Sequence, residues 1–230
     1  MKTAIMQPYF FPYIGYFQLI NAVDTFVLYD DVTYIKGGWI NRNRVYENGV
    51  ANYWGLPLKN ASSNRLIKDI EYYRDWQRLL KTIQQNYGKA LYADAVWNQI
   101  LLEVAGNQKE VTISALNEYA IWKICKYLGI ETTIIRSSNL PKLKEGRVER
   151  LCSICEQTGA ETYINAIGGQ ILYNKEQFKE QGIDLQFLKT NEIKYTQFDK
   201  PFVPNLSILD VLMFNSKKEI AEMLNNYELI

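Results

Sequence analysis

Histidine is missing from all 230 residues of this sequence. That absence excludes serine–histidine and cysteine–histidine catalysis, histidine metal sites and the usual general base near neutral pH. Chemistry here falls to carboxylates, lysine, arginine, tyrosine, backbone amides or a bound cofactor. Cysteine is nearly as scarce, with only Cys125, Cys152 and Cys155. A small odd number predicts free thiols in a reducing compartment rather than a disulfide framework. Cys152-Ser153-Ile154-Cys155 has C-x-x-C spacing, but it falls inside a helical pattern and lacks a second ligand pair. Buried structural thiols are therefore expected, and neither zinc nor haem.

Charge of one sign is also lacking. Lysine plus arginine number 26 against 25 aspartates and glutamates, a net charge of +1. Such a balance gives no general pull toward nucleic acid or anionic lipid. No apolar run approaches the roughly 18 residues of a membrane span. The opening MKTAIMQPYFFPYIGYF has neither the apolar run nor the small-residue cleavage site of a secretory leader. A cytoplasmic protein with no membrane partner is the expectation. Internal repeats and low-complexity linkers are absent too. At 47% apolar residues, a chain this long can bury a core without staples.

What is present is alternation of strand and helix. Residues 3–6 read as a buried strand, 14–22 as a helix and 25–29 as a second strand, the start of a parallel sheet. Segments 41–46 and 50–56 flank Glu47-Asn48-Gly49, a strong hairpin signal, which predicts an antiparallel hairpin attached to the sheet. A short strand is expected at 66–72, then helices at 76–87, 90–105 and 112–128. Alternation resumes with strands at 131–136, 161–165 and 184–188 and helices at 147–157 and 172–180. Helices at 209–214 and 217–226 close the chain. The expected class is α/β: a single domain over 1–230, with a mostly parallel doubly wound sheet, the attached hairpin and a helical insertion at about 76–128.

The densest group of chemical residues lies in the first forty-four. Gln7-Pro8-Tyr9-Phe10-Phe11-Pro12-Tyr13-Ile14-Gly15-Tyr16 joins the first strand to the first helix. Helix N-termini suit phosphate or carboxylate, and Gln7, Tyr9 and Tyr16 are candidates for substrate contact. The plainer reading is an aromatic plug with prolines fixing the loop. Asp30-Asp31 falls at the carboxyl end of the second strand, the edge where open α/β sheets bind ligands. The pair suits Mg²⁺ or an amine substrate, or it is a solvated acidic turn. Lys36, Trp39, Asn41, Arg42, Asn43 and Arg44 combine cations, a ring for stacking and amides, the chemistry of a phosphorylated ligand. The alternative is a basic hairpin shoulder.

Three later segments are weaker signals. Gly168-Gly169 sits between a predicted strand and helix, as a phosphate loop or merely a tight turn. Ser207 reads as an N-cap. Asp210, among apolar neighbours, is a candidate to face the site. Arg147, Glu149 and Arg150 open a helix, and read equally well as site residues or as ordinary solvated charges.

The run QPYFFPYIGYFQLINAVDTFVLYDD, then IKGGWINRNR, then PNLSILDVLMFN resembles the WbqC-like protein family over nearly the whole chain. The resemblance implies a place among bacterial proteins of O-antigen and other surface polysaccharide biosynthesis. It also implies a role as a glycine or other aminoacyl transferase to an amino sugar. It brings no established catalytic residues. The family often has proline where this chain has Ala166. The strand, proline-rich loop, glycine, helix and strand are also similar to the start of HxGH-type nucleotidyl transferases and acyl-adenylate-forming ligases. Tyr13-Ile14-Gly15-Tyr16 occupies that motif without either histidine.

Residues and resemblance together point to a transferase that acylates, with glycine as one candidate, the amine of a nucleotide-linked amino sugar. Asp30 or Asp31 is the expected base, and Lys36, Arg42 and Arg44 the diphosphate ligands. Trp39 would stack on a ring, while Asn41 and Asn43 would donate to sugar or carbonyl oxygens. ATP with Mg²⁺, a thioester or a charged tRNA are all compatible acyl sources. Nucleic acid is expected as a partner only in the last case. Asp31→Asn is expected to abolish activity with little change in stability. The rival readings are a nucleotidyl transferase and a non-catalytic nucleotide-sugar or carbohydrate binding protein. The oligomeric state is left open.

Overall fold

The computed structural model describes residues 1–107, 109–198 and 201–230. Its centre is a six-stranded sheet made of β1 (Lys2–Met6), β2 (Thr25–Leu28), β5 (Thr133–Arg136), β6 (Thr162–Ala166), β7 (Asp184–Thr190) and β8 (Tyr227–Leu229). The strand order is β5-β2-β1-β6-β7-β8, parallel throughout except for β7 with β8. The remaining two strands, β3 (Arg42–Glu47) and β4 (Val50–Gly55), form an antiparallel pair of their own.

Side chains alternate across the sheet because successive Cβ atoms point to opposite faces. Ala4, Phe26 and Leu28 enter the larger core, whereas Ile5 and Val27 enter the smaller one. The larger core is covered by α1 (Ile14–Asn21), α2 (Trp76–Tyr87), α5 (Ile113–Leu128), α8 (Ile208–Phe214) and α9 (Lys217–Leu224). The smaller is closed by α6 (Arg147–Gln157) and α7 (Lys175–Lys179), through Leu151, Ile154 and Phe178. Helices on both faces make the sheet doubly wound. From β1 the chain runs outward to β2 and β5, then returns on the other side of β1 with β6 and β7. The switch point therefore falls between β1 and β6, and its carboxyl edge is where such sheets hold ligands.

Local chemistry explains most element ends. In α2 the buried residues Trp76, Leu79, Ile83 and Tyr87 recur at helical spacing. Thr112 caps α5 by accepting from the Ala115 amide, and Gly129 ends it at φ 75°. Ser216 and Glu219 form a capping box at the start of α9.

Three expectations are corrected. Residues 66–72 form no strand, but a 3₁₀ turn at Ile67–Asp69 flanked by isolated bridges at Leu66, Glu71 and Tyr72. Ile67 and Ile70 are both fully buried, and a three-residue turn puts positions i and i+3 on one side. Helix 90–105 is broken into α3 (Ala93–Val96), a π-helical turn Trp97–Leu101 and α4 (Leu102–Gly106). Helix 172–180 shrinks to α7, because Asn174 accepts from the Glu176 amide and sets the start there. The expected hairpin is present, as a two-stranded sheet of its own beside the main sheet. It is held to the molecule by side-chain bonds from Asn43 to the carbonyls of Phe10 and Phe11. The last strand, β8, follows the expected final helix at 217–226 and carries no sequence signal of its own. Within 76–128 the named elements are helices among the described residues, none of which is long and apolar enough to cross a membrane.

Candidate functional site

The loop from β1 to α1 is fixed from three sides. Asn117 of α5, buried, donates to the carbonyls of Pro8 at 2.8 Å and Ile40 at 2.7 Å. The Phe10 amide donates to the Trp39 carbonyl at 2.9 Å. Asn43 donates to Phe11 O at 2.8 Å and Ser207 Oγ to the same oxygen at 2.8 Å. Phe10 and Phe11 are thereby driven into the core against Trp54, with ring centroids 5.0 and 5.4 Å away. Tyr16 donates to the Gln7 carbonyl at 2.9 Å, and Tyr9 lies against its ring. Complete burial pushes the Tyr16 hydroxyl well above its ordinary pKa, so it acts as a donor there.

This anchoring presents one outward face of the hairpin. Arg42 and Arg44, two residues apart on β3, share that face. Tyr53, the cross-strand partner of Arg44, is 62% exposed, and Trp39 is 36% exposed. The rings of Trp39 and Tyr53 lie 6.3 Å apart. The Arg42 guanidinium sits 4.2 Å from the Tyr53 centroid, and that of Arg44 5.7 Å from the Trp39 centroid. Arg42 also donates to the carbonyls of Gly37 and Gly38. Lys36 is exposed on the loop before Trp39. Two guanidinium groups on two exposed rings form a flat surface for an anionic ligand with an aromatic part.

Beside this face, a cavity of ≈ 450 Å³ opens between the start of α1, the segment after β7 and the segment before α8. Tyr13, Tyr195 and Phe202 supply its rings, and Asn191 and Asn205 its amides. No side chain caps the start of α1. Behind the wall, buried Asp210 accepts from Tyr195 at 2.6 Å, from Tyr87 at 2.8 Å and from Gln197. Desolvation raises its pKa, opposed by the bonds from Tyr195, Tyr87 and Gln197. Ser207 is the N-cap of α8, accepting from Leu209 N.

The two aspartates occupy a different cluster. Asp30 is completely buried; Ser114 Oγ, Ser138 Oγ and the Ser138 amide donate to it at 3.0, 3.0 and 3.1 Å, and Ser137 Oγ at 3.3 Å. Asp31 is paired with Arg150 at 2.9 Å, with 12% and 4% of the two side chains exposed, and accepts from Ser137 Oγ. Desolvation, then the charge of Asp31, raises the pKa of neighbouring Tyr29. Arg150, which reads in sequence as a site residue or a solvated charge, is a core residue 3% exposed. It lies four residues before buried Ile154, so its place on the inner stripe of α6 was readable.

Among the sequence candidates, Trp39, Arg42 and Arg44 come together. Asn43 and Ser207 meet on the Phe11 carbonyl beneath them. Asn41 donates to the Leu56 carbonyl at 2.7 Å and accepts from Tyr34, which holds the hairpin neck. Gly168 and Gly169 lie in a 3₁₀ turn after β6. A Cβ on Gly169 would stand 2.5 Å from Asn165 Nδ2, a packing reason for that glycine, while Gly168 faces open space. Sequence reasoning missed Tyr53, whose alternation with buried Trp54 in β4 marks it as outward, and the cavity wall at 190–195 and Phe202, which carries no motif. The three cysteines are free and buried; burial pushes Cys125 and Cys155 up to about 12 and Cys152 to about 11. Among the described residues, no three histidine, cysteine or acidic side chains gather as a metal site.

A model of the WbqC-like protein family matches residues 7–222. The chain belongs to that family. It is 30% identical over 227 residues to the uncharacterized protein Rv1507c of Mycobacterium tuberculosis, with 97% of each chain covered. No solved structure matches it. The family match spans every candidate of this WbqC-like protein, from Gln7 to Asp210.

Proposed function

We propose that this WbqC-like protein acylates the amine of a nucleotide-linked amino sugar, with a glycyl group as the first acyl donor to test. The observation that carries the reading is the pair Arg42 and Arg44 set against Tyr53 and Trp39. Guanidinium forks bind diphosphate oxygens bidentately, and exposed rings stack on a base. Lys36 adds an exposed cation. Asn41, Asn43 and Ser207 act beneath the ligand, by fixing the loop and hairpin.

In the reaction, the amine nitrogen attacks the activated acyl carbon and a C–N bond forms. The bond to the leaving group breaks with its electron pair, and the amine proton passes to water. Asp31 and Asp30, held by Arg150 and the serines in their own cluster, support the fold beside the site. The place in surface polysaccharide synthesis that the resemblance implies is what suggests an amino-sugar acceptor.

One observation favours binding without turnover: Asp30 is saturated by serine donors and Asp31 by Arg150 and Ser137. Thermal-shift titration with nucleoside diphosphates, nucleotide amino sugars and ATP separates the readings from the start. Stabilisation by nucleotide amino sugars is expected. Mass spectrometry of the amino sugar with glycyl donors then reads turnover. No stabilisation by any nucleotide at millimolar concentration would overturn the reading, and stabilisation without product would leave a binding protein.

A further inference from the structure

We propose that the cavity beside α1 is the sugar subsite, taking the pyranose that carries the amine. This rests on the nucleotide-sugar reading and assigns a place to the part of the substrate that the hairpin face leaves unbound. At ≈ 450 Å³ the cavity falls within the range of small-molecule sites, about 300–1,000 Å³. A pyranose has an apolar C–H face and a rim of hydroxyls. The lining matches both, with the rings of Tyr13, Tyr195 and Phe202 and the amides of Asn191 and Asn205.

The cavity joins the arginine face through one residue. Arg44 donates from Nη2 to the Asn205 carbonyl at 3.0 Å, and its own carbonyl accepts from the Ser207 amide at 2.8 Å. A diphosphate on Arg44 therefore lies at the cavity rim, and the next group along the substrate is the sugar.

The walls are built, not incidental. Tyr195 and Phe202 pack edge to face at 5.0 Å. Asp210 holds Tyr195 and Gln197 from behind, and Gln197 in turn accepts from the Val203 amide at 2.7 Å and donates to its carbonyl at 3.1 Å. On the opposite side, a Cβ on Gly15 would lie 2.4 Å from Tyr13 Cε2 and 2.8 Å from Thr190 Oγ1. Glycine there lets the Tyr13 ring lie back against the wall and leaves the cavity open. Asp210 and Gly15 are thus positioning residues of this subsite.

The test is calorimetry with UDP, dTDP and GDP, with the matching nucleotide amino sugars, and with free glucosamine. Tyr13→Ala and Phe202→Ala remove rings that are outside the fully buried core, and circular dichroism checks their folding. Each should lose at least tenfold of the added affinity of a nucleotide amino sugar over its bare diphosphate, and keep diphosphate affinity within threefold. Gly15→Ala, which displaces the Tyr13 ring, should do the same. If nucleotide sugars bind and all three variants keep the sugar's contribution within twofold, the subsite is overturned while the nucleotide reading stands. If no nucleotide binds but glucosamine does, and Tyr13→Ala abolishes it, the subsite stands while the nucleotide reading falls. Binding of neither overturns both.

Discussion

Arg44 links two parts of the molecule that are 161 residues apart in sequence, through its bond to the Asn205 carbonyl. One face of its guanidinium looks onto Trp39, and the Nε is buried without a partner among the described residues. Such a group is fixed in place before any ligand arrives.

Replacing Arg44 by alanine is expected to weaken nucleotide-sugar binding by about ten- to a hundredfold, since a charge-assisted bond contributes roughly 1.5–3 kcal/mol. Lysine should restore only part of this, because it keeps the charge and loses the fork. Calorimetry on folded Arg44→Ala and Arg44→Lys protein checks it. Equal affinity in all three proteins would remove the hairpin face from the site.

The Asp31–Arg150 pair gives a stability prediction that differs from the sequence expectation. Read from sequence as a catalytic carboxylate at a strand end, Asp31 is expected to tolerate asparagine with little change in stability. With both side chains buried, removing one partner leaves an unpaired charge, at a cost of about 3–5 kcal/mol. Urea unfolding of Asp31→Asn, Arg150→Ala and the double variant should show the double costing less than the sum of the singles. Strict additivity would mean that the pair is not coupled.

These contrasts show which features could be read from sequence. The parallel α/β order, α2, α6 and the hairpin followed from apolar spacing, Asn48-Gly49 and helix stops, all local signals. The grouping of candidates near Trp39 was legible because cations and rings cluster there in sequence. Tyr53 and the cavity wall at 190–195 were not singled out, and Arg150 was named only as a charge at a helix start, since these roles come from packing or from distant partners, as Arg150 meets Asp31 119 positions away. Asp30 reads in sequence as a candidate base or a solvated turn, because no sequence pattern announces that Ser114, Ser137 and Ser138 will converge on it from α5 and the end of β5.

The cysteines should be chemically silent in the folded protein. The thiolate is the reactive form, and burial holds all three thiol pKa values at about 11 to 12. Titration with a disulfide reagent at pH 8 should give no fast-reacting thiol in native protein and three after unfolding. A rapid native reaction would place Cys152 or Cys155 at the surface.

Asp210 supplies a prediction with a pH signature. Its carboxylate accepts three bonds, from Tyr87, Tyr195 and Gln197. Asparagine offers one acceptor oxygen and adds two donors, so at least one buried hydroxyl or amide loses its partner. Asp210→Asn should therefore cost about 1–3 kcal/mol, the penalty for an unsatisfied buried group. The size of that cost depends on pH. Desolvation raises the folded pKa of Asp210 above its ordinary 3.8, so the folded protein binds this proton more tightly than the unfolded chain does. The stability linked to it is full below the unfolded value and is lost as pH rises through the folded value. Asparagine does not titrate, and all other groups cancel in the comparison. The gap between wild type and Asp210→Asn should thus be widest in acid and narrow toward neutrality. Urea midpoints for both proteins between pH 4 and pH 7.5 measure it. A gap that widens as pH rises would mean that the three donors outweigh burial and that Asp210 sits below its ordinary pKa. In that case the wall of the cavity would be held by a stabilised carboxylate, and acid would loosen it.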